Sequence, residues 1–161
     1  MPQAAMIGLI SDTHGLLRQE ALAAFAGCDL IIHAGDIGKP GIVEQLRAVA
    51  PVVAVRGNID KGAWASRFPE TAVVEVRSVL IYVLHDIARL DLDPAAAGFG
   101  IVVSGHSHNP GHTERSGVAF INPGSAGPRR FQLPVTVARL DLRLPARRVE
   151  FIDLQDGKPR Q

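Results

Sequence analysis

The chain has 161 residues, of which 47% are hydrophobic, so it can bury a core of ordinary size without the covalent staples that very small domains need. Its formal net charge of +1 excludes a general field that would attract nucleic acid or a membrane surface. Cys28 is the only cysteine and no apolar stretch reaches the ~18 residues of a membrane span, which excludes an internal disulfide and predicts a cytoplasmic protein. We expect one domain, spanning residues 1–161.

The first third of the chain alternates apolar runs with helix-forming segments. Three apolar runs, at 5–10, 29–33 and 52–55, each end in turn-forming residues. The segment 16–25 is rich in Leu, Ala, Gln and Glu, and the segment 40–49 begins with proline and has apolar residues at helical spacing. This alternation predicts βαβ units with parallel strands and right-handed crossovers.

The remainder of the chain has mostly strand patterns. Two apolar runs at 71–76 and 79–84 are separated by only two residues, which predicts a hairpin. A single helical turn is expected at 94–97, capped by Asp93. Further strands are predicted at 101–103, 118–121, 135–142 and 147–154.

Side chains that can bind metal ions collect where the apolar runs end. They are Asp12, His14, Asp36, Asn58, His85, His106 and His108. Because ligands of α/β sheets bind beyond the carboxyl ends of the strands, we expect these side chains to meet at one edge. Seven ligands are too many for one four-coordinate zinc site, and their mixed oxygen and nitrogen donors suit two divalent ions. The other histidines, His33 and His112, are expected in the core and in a loop.

A two-metal site of this kind predicts hydrolytic chemistry. Two ions about 3.5–4 Å apart share a bridging carboxylate and a bridging hydroxide, which attacks the phosphorus of a phosphate ester. Simpler interpretations exist for single residues. Asp12 could cap the following helix, Asp36 and Asn58 follow glycines as turn residues do, and Asp86 could be the functional side chain in place of His85. The complete series favours the metal site.

Five motifs carry a family resemblance. They are Asp12-x-His14, Gly35-Asp36, Gly57-Asn58-x-Asp60, His85 and Gly105-His106-x-His108. From about residue 6 to about residue 151 the chain resembles the calcineurin-like metallophosphoesterases, and among them the short single-domain bacterial and archaeal phosphodiesterases. The resemblance implies an α/β fold, a four-layer αββα sandwich with two mixed β-sheets flanked by helices. It also implies two divalent metal ions per chain, with Mn favoured and Ni, Zn or Fe as alternatives.

The resemblance also implies a role for each residue of the set. The first ion takes Asp12, His14 and His108, the second takes Asn58, His85 and His106, and Asp36 lies between the two. Catalytic roles are expected for Asp36, Asn58 and His106, and substrate contacts for Asn58 and Arg129. The segment 122–125, Asn-Pro-Gly-Ser, matches a further family element that is expected to shape a loop near the site.

The chain departs from larger relatives at Ile59. Those relatives have a histidine at this position that donates a proton to the leaving group, whereas isoleucine cannot. The short phosphodiesterases also lack this histidine, so the proton donor stays unassigned. The favoured function is hydrolysis of a phosphate diester. The alternatives are a phosphomonoesterase or protein phosphatase, and a non-catalytic protein-binding scaffold, because a eukaryotic protein-sorting subunit has the same fold.

The expected partner is a small phosphodiester substrate. The arginines of the C-terminal strands alternate with acidic residues, as on an ordinary charged surface, so a platform for nucleic acid is not expected. A membrane partner is not expected either. Edge strands near the C-terminus leave a homodimer open.

Overall fold

A computed structural model describes residues 4–143 and 147–160 of the chain. Within these residues the chain forms two α-helices, α1 (Gln19–Ala24) and α2 (Gly41–Arg47), and ten strands. The strands are β1 (Met6–Ile10), β2 (Leu30–His33), β3 (Val52–Ala54), β4 (Thr71–Val76), β5 (Val79–Leu84), β6 (Ile101–Val103), β7 (Gly111–Arg115), β8 (Val118–Asn122), β9 (Thr136–Asp141) and β10 (Arg148–Asp153).

Five strands form the first sheet, sheet A, in the order β10-β9-β1-β2-β3. The pairs β1–β2 and β2–β3 are parallel, which confirms the βαβ prediction, and β9 joins β1 antiparallel. Both helices are shorter than predicted. Helix α1 begins only at Gln19 because Arg18 keeps an extended backbone with ψ 144°, so the first residues of the predicted helix belong to the preceding loop.

The second sheet, sheet B, has the order β4-β5-β6-β8-β7 and is also mixed. The hairpin β4–β5 has the predicted bounds. Strand β7 was not predicted because its sequence, Gly-His-Thr-Glu-Arg, lacks an apolar alternation, and four of its five residues are exposed at the edge of the sheet. His112 lies on this edge strand, so its predicted place in a loop is wrong.

Buried apolar side chains form three clusters, one between the two sheets and one on the outer side of each sheet. The facing sides of the sheets bury residues such as Leu9, Ile32 and Val103 between them, while α1 and α2 cover the outer side of sheet A. The outer side of sheet B is covered by the irregular segment that follows the 3₁₀ turn Ile87–Arg89, which contributes Leu90, Leu92 and Phe99. The predicted sandwich of two mixed sheets is confirmed, with a thinner layer over sheet B.

No helix in the described part of the chain combines the length and the apolar composition that crossing a membrane requires.

Candidate metal centre

Five loops at the carboxyl ends of β1, β2, β3, β5 and β6 bring the predicted ligands together. Five of the seven residues have a positive φ, between 48° and 71°, and a side chain in this left-handed region costs about 1–3 kcal/mol. They are Asp12, His14, Asp36, His106 and His108. Strain of this kind persists only where the surrounding contacts determine the conformation, and it clusters at functional sites.

Two glycines allow the loops to approach one another. A Cβ atom on Gly105 would overlap Ser11 Oγ, and a Cβ atom on Gly57 would overlap the backbone nitrogen and carboxylate of Asp36. Only glycine therefore permits the β6 loop to lie on the β1 loop and the β3 loop to lie on the β2 loop.

The first ligand group contains Asp12, His14 and His108, whose ligand atoms lie within 4.8 Å of one another. One carboxylate oxygen of Asp12, Oδ2, accepts hydrogen bonds from Ser11 Oγ at 2.6 Å and from the backbone nitrogen of His106 at 3.1 Å. The other oxygen, Oδ1, lies 3.1 Å from His108 Nε2 and 3.7 Å from His14 Nε2. The protein thus holds one oxygen of Asp12 and leaves the other facing two imidazoles.

Asp12 Oδ1 and His14 Nε2 are buried without a hydrogen-bond partner among the described residues. An unsatisfied buried polar atom costs about 1–3 kcal/mol, and a cation between the two would satisfy both. Burial alone would raise the pKa of Asp12, but the His108 and His14 imidazoles and the Ser11 hydroxyl outweigh it and hold that pKa well below its usual range. The carboxylate is therefore ionised, as a metal ligand must be.

The second ligand group contains Asp36, His85 and His106. His85 Nδ1 lies 2.8 Å from the carbonyl oxygen of Ala34, and since a carbonyl can only accept, Nδ1 carries the proton. His85 Nε2 then has a free lone pair, 3.3 Å from both Asp36 Oδ2 and His106 Nδ1. Asn58 joins the group because its Oδ1 lies 3.2 Å from His106 Nδ1. A histidine such as His85, with one ring nitrogen bound to a backbone carbonyl and the other left free, is typical of metal sites.

Asp36 lies between the two groups. Its Oδ2 is 3.6 Å from His14 Nε2 and 3.3 Å from His85 Nε2, while Oδ1 accepts a hydrogen bond from the Ile59 backbone nitrogen at 3.1 Å. Burial would raise the pKa of Asp36, but His85 and the Ile59 N–H outweigh it and lower that pKa. Burial acts against a charge on His85, yet the carboxylates of Asp36 and Asp12 raise its pKa. The two groups therefore form one negatively charged cluster with oxygen and nitrogen donors, which fits two cations.

The simpler interpretations of Asp12 and of His85 do not fit the geometry. Asp12 does not cap α1, because the residue before that helix is Arg18. The side chain of Asp86 caps the 3₁₀ turn through the nitrogen of Ala88, and its other oxygen stays 3.8 Å from His106 Nε2. His85, and not its neighbour, is in the ligand group.

His33 is a core residue, as predicted. Its Nδ1 accepts from the backbone nitrogen of Gly35 at 3.1 Å, so its Nε2 carries the proton that it donates to Thr13 Oγ1 at 3.0 Å. Thr13 Oγ1 in turn donates to the carbonyl oxygen of Ile37 at 2.8 Å. Burial lowers the pKa of His33 to about 4, so the ring is neutral and links the β1 and β2 loops.

Residues of the segment 122–125 support the ligand loops through hydrogen bonds. Asn122 Nδ2 donates to the carbonyl oxygen of Gly105 and to Ser107 Oγ, both at 3.0 Å, and Ser125 Oγ donates to the carbonyl oxygen of Asp12 at 3.1 Å. The expectation that the segment 122–125 shapes a loop near the site agrees with these contacts. Their only sequence signal is the family element itself.

The two remaining predicted positions are exposed. The side chain of Ile59 is 42% exposed although its backbone is bonded to Asp36. Arg129 is exposed on the loop between β8 and β9. That loop begins against the ligand loops, because Gly127 packs on the backbone of Thr13.

The chain is similar to known proteins over nearly its whole length. The calcineurin-like phosphoesterase superfamily domain matches residues 6–144. A probable metallophosphoesterase of Methanothermobacter thermautotrophicus is 32% identical over 149 residues, which cover 84% of this chain and 86% of the relative. The match to the family domain therefore includes every residue of both ligand groups.

Two solved structures have the same architecture. A conserved uncharacterized protein from Streptococcus pneumoniae TIGR4, described as a predicted phosphoesterase, has a TM-score of 0.73 and 25% identity, with 96% of this chain and 92% of that chain covered. Wild-type Vps29 of Entamoeba histolytica complexed with Zn²⁺ has a TM-score of 0.78 and 22% identity, with 96% of both chains covered. At that identity the likeness to Vps29 shows the fold alone.

Proposed function

Because the chain belongs to the calcineurin-like phosphoesterase superfamily, we propose that it is a dinuclear metal-dependent phosphodiesterase. The observation that carries the proposal is the pair of ligand groups with Asp36 between them, whose Oδ2 lies within 4 Å of one histidine from each group, at 3.6 and 3.3 Å. A structural metal site would need only one closed group of four ligands. Two ligand groups that share a carboxylate are typical of hydrolytic sites.

Seven residues would hold the two ions. The proposed ligands are Asp12, His14 and His108 for the first ion, Asn58, His85 and His106 for the second, and Asp36 for both. Two divalent ions held there would supply Lewis acidity toward the phosphate oxygens and toward the attacking water. The mixed carboxylate, amide and imidazole donors favour Mn, with Ni, Zn and Fe as alternatives.

Ile59 supports a diester with a good leaving group. Its backbone is bonded to Asp36 and its apolar side chain is 42% exposed beside the site, so this position offers no proton donor. A leaving group that departs without a proton, such as an aryl oxyanion, is therefore favoured. The same reasoning disfavours the phosphomonoesterase and protein phosphatase alternatives, since the larger relatives carry a proton-donating histidine here.

Two exposed side chains are proposed to contact the phosphate of a small diester substrate. Asn58 lies at the solvent side of the second group, next to His106. Arg129 is on the loop that starts against the β1 loop, and a planar guanidinium matches a pair of phosphate oxygens.

The test compares bis-p-nitrophenyl phosphate with p-nitrophenyl phosphate, with Mn²⁺, Ni²⁺ and Zn²⁺ supplied one at a time. The proposal expects metal-dependent hydrolysis, with kcat/KM for the diester at least about tenfold higher than for the monoester, which corresponds to about 1.4 kcal/mol. A reversed preference would identify a phosphomonoesterase. Absence of hydrolysis with all three ions would contradict a phosphodiesterase.

A non-catalytic scaffold is the second candidate, because Vps29 shares this fold and fold alone does not decide function. A scaffold does not need its metal ligands, whereas this chain has a donor at all seven positions. Metal content distinguishes the two functions. Protein purified without chelators that holds less than one ion per chain, and takes up none during titration with Mn²⁺, would support the scaffold.

A further inference from the structure

Asp60 is a buried carboxylate that belongs to neither ligand group. It is 5% exposed, and it follows Asn58 by two residues in the β3 loop. Its Oδ2 accepts hydrogen bonds from the backbone nitrogens of Ile37 at 3.0 Å and Gly57 at 2.8 Å, and its Oδ1 accepts one from Gly38 at 2.9 Å. Within residues 4–143 and 147–160 it forms no ion pair, so backbone N–H groups alone balance its burial.

The three donors come from two different loops. Ile37 and Gly38 directly follow Asp36 in the β2 loop, while Gly57 precedes Asn58 in the β3 loop. One carboxylate therefore ties together the segments that carry two proposed ligands. A neutral amide could not replace it, since its single oxygen and its NH₂ group would face three N–H donors.

The link between the loops is reciprocal. While Asp60 accepts from the β2 loop, the carboxylate of Asp36 accepts from the β3 loop through the Ile59 nitrogen at 3.1 Å. Gly57 packs directly on Asp36 between these hydrogen bonds. Asp36 has a φ of 54°, a left-handed conformation that costs free energy and that neighbouring contacts stabilise. The next residue, Ile37, donates a hydrogen bond to Asp60 through its backbone nitrogen.

We propose that Asp60 is a positioning residue for the second metal ion, which it serves by fixing Asp36 in its left-handed conformation and by setting the distance between Asp36 and Asn58. This inference rests on the proposed function, because it assumes that these residues bind a metal ion. Asp60 supports the group of Asp36, Asn58, His85 and His106, and it makes no hydrogen bond to the loops of Asp12 or His108 within the described residues.

The test measures binding of Mn²⁺ to Asp60→Asn by isothermal titration calorimetry. Loss of a residue that orients metal ligands typically weakens metal binding by 10–100-fold, so we expect the Kd of the more weakly bound ion to rise by about that factor. The Kd of the other ion should rise by a smaller factor, because Asp36 is the only one of its proposed ligands in the loops that Asp60 ties together. A rise of less than about twofold in both constants would overturn the proposal.

Asp29→Asn is the matched control. Asp29 also accepts two backbone hydrogen bonds, from Ala5 and Met6 at 2.9 Å, but these lie at the start of β1, away from the ligand loops. Both substitutions remove a carboxylate charge that backbone N–H groups face, whereas only Asp60→Asn should weaken the second ion. If Asp29→Asn weakened it equally at the same loss of stability, the effect would be general destabilisation and the proposal would be wrong.

Hydrogen exchange keeps the proposal testable if Asp60→Asn does not fold. In metal-free wild-type protein the amides of Ile37, Gly38 and Gly57 should exchange far more slowly than the exposed amides of the same loops. Fast exchange at all three would overturn it. These readouts are independent of hydrolysis: wild-type protein that binds two Mn²⁺ ions but cleaves no diester would contradict the proposed function and leave the role of Asp60 standing.

Discussion

The two ligand groups differ in their access to solvent. In the first group the side chains of Asp12, His14 and His108 are 0%, 9% and 9% exposed. In the second group the side chain of His106 is 47% exposed, and Asn58 is an exposed residue. One group is therefore enclosed by the loops, and the other opens to the surface.

The difference in solvent access bears on how tightly each group would hold a metal ion and on which group would face the substrate. The enclosed group contains buried ligand atoms that no other group in residues 4–143 and 147–160 satisfies, so the folded chain gains most from a cation there. In the open group, water can reach His106 and Asn58, so its ligands lose less when no ion is bound. We therefore infer that the first ion is bound more tightly and that the second ion, together with Asn58, faces the substrate.

The largest effect is expected from Asp36→Asn, which removes the charge that the two groups share. The variant should bind both ions more weakly and lose about a thousandfold in kcat, the equivalent of about 4 kcal/mol. Diester hydrolysis at saturating Mn²⁺ measures the loss, and circular dichroism checks that the fold persists. Near-normal turnover would show that Asp36 is not the shared ligand.

The histidine pair of the β6 loop gives a sharper comparison. His108→Ala should remove the tightly bound ion, and His106→Ala should remove the weakly bound one, with each Kd rising by at least about 100-fold because a direct ligand is lost. Calorimetric titration with Mn²⁺ measures both constants. If the two variants lost the same ion, the two histidines would belong to one site and the division into two groups would fail.

The smallest effect concerns the pH dependence of folding through His33. Its pKa is about 4 in the folded protein and near 6.5 when unfolded, so only the unfolded chain takes up this proton between those values. The stability contributed by neutral His33 is complete above pH 6.5 and falls as the pH drops toward 4, by about 2 kcal/mol down to pH 5 at 1.4 kcal/mol per pKa unit.

Urea unfolding of metal-free protein at pH 7 and pH 5 measures this contribution. His33→Asn should be less stable than wild type at pH 7, yet it should lose less stability between the two pH values. The other titrating groups contribute equally to the pH dependence of both proteins, so the difference between wild type and variant reports His33 alone. An identical pH dependence in both proteins would show that His33 is not held neutral.

Much of this arrangement could be predicted from the residues at the strand ends. Apolar runs locate β1, β2, β5 and β6, and a polar residue after a buried strand must lie at the sheet edge. The directions in which the His106 and His108 side chains point could not be predicted in the same way. Two histidines in an extended segment would share one face, but both have a positive φ, of 71° and 62°, and they join different groups.

The supporting contacts were beyond sequence reasoning for a physical reason. Asp60 and Asn122 act on backbone groups of loops that are distant along the chain, and a backbone N–H or C=O has no signature in the sequence. Strand β7 was missed because an exposed edge strand needs no apolar pattern. In both cases the structure depends on hydrogen bonds of main-chain groups, which no residue type signals in the sequence. Burial, by contrast, is visible in the sequence as a pattern of apolar residues.

The central claim is that two metal ions occupy one centre, with His108 at the enclosed ion and His106 at the open one. Anomalous diffraction from crystals soaked in Mn²⁺ tests it most directly. Two peaks are predicted, one among Asp12, His14 and His108 and one among Asn58, His85 and His106, with Asp36 in contact with both. A single peak at saturating Mn²⁺, or one ion bound by His106 and His108 together, would contradict it.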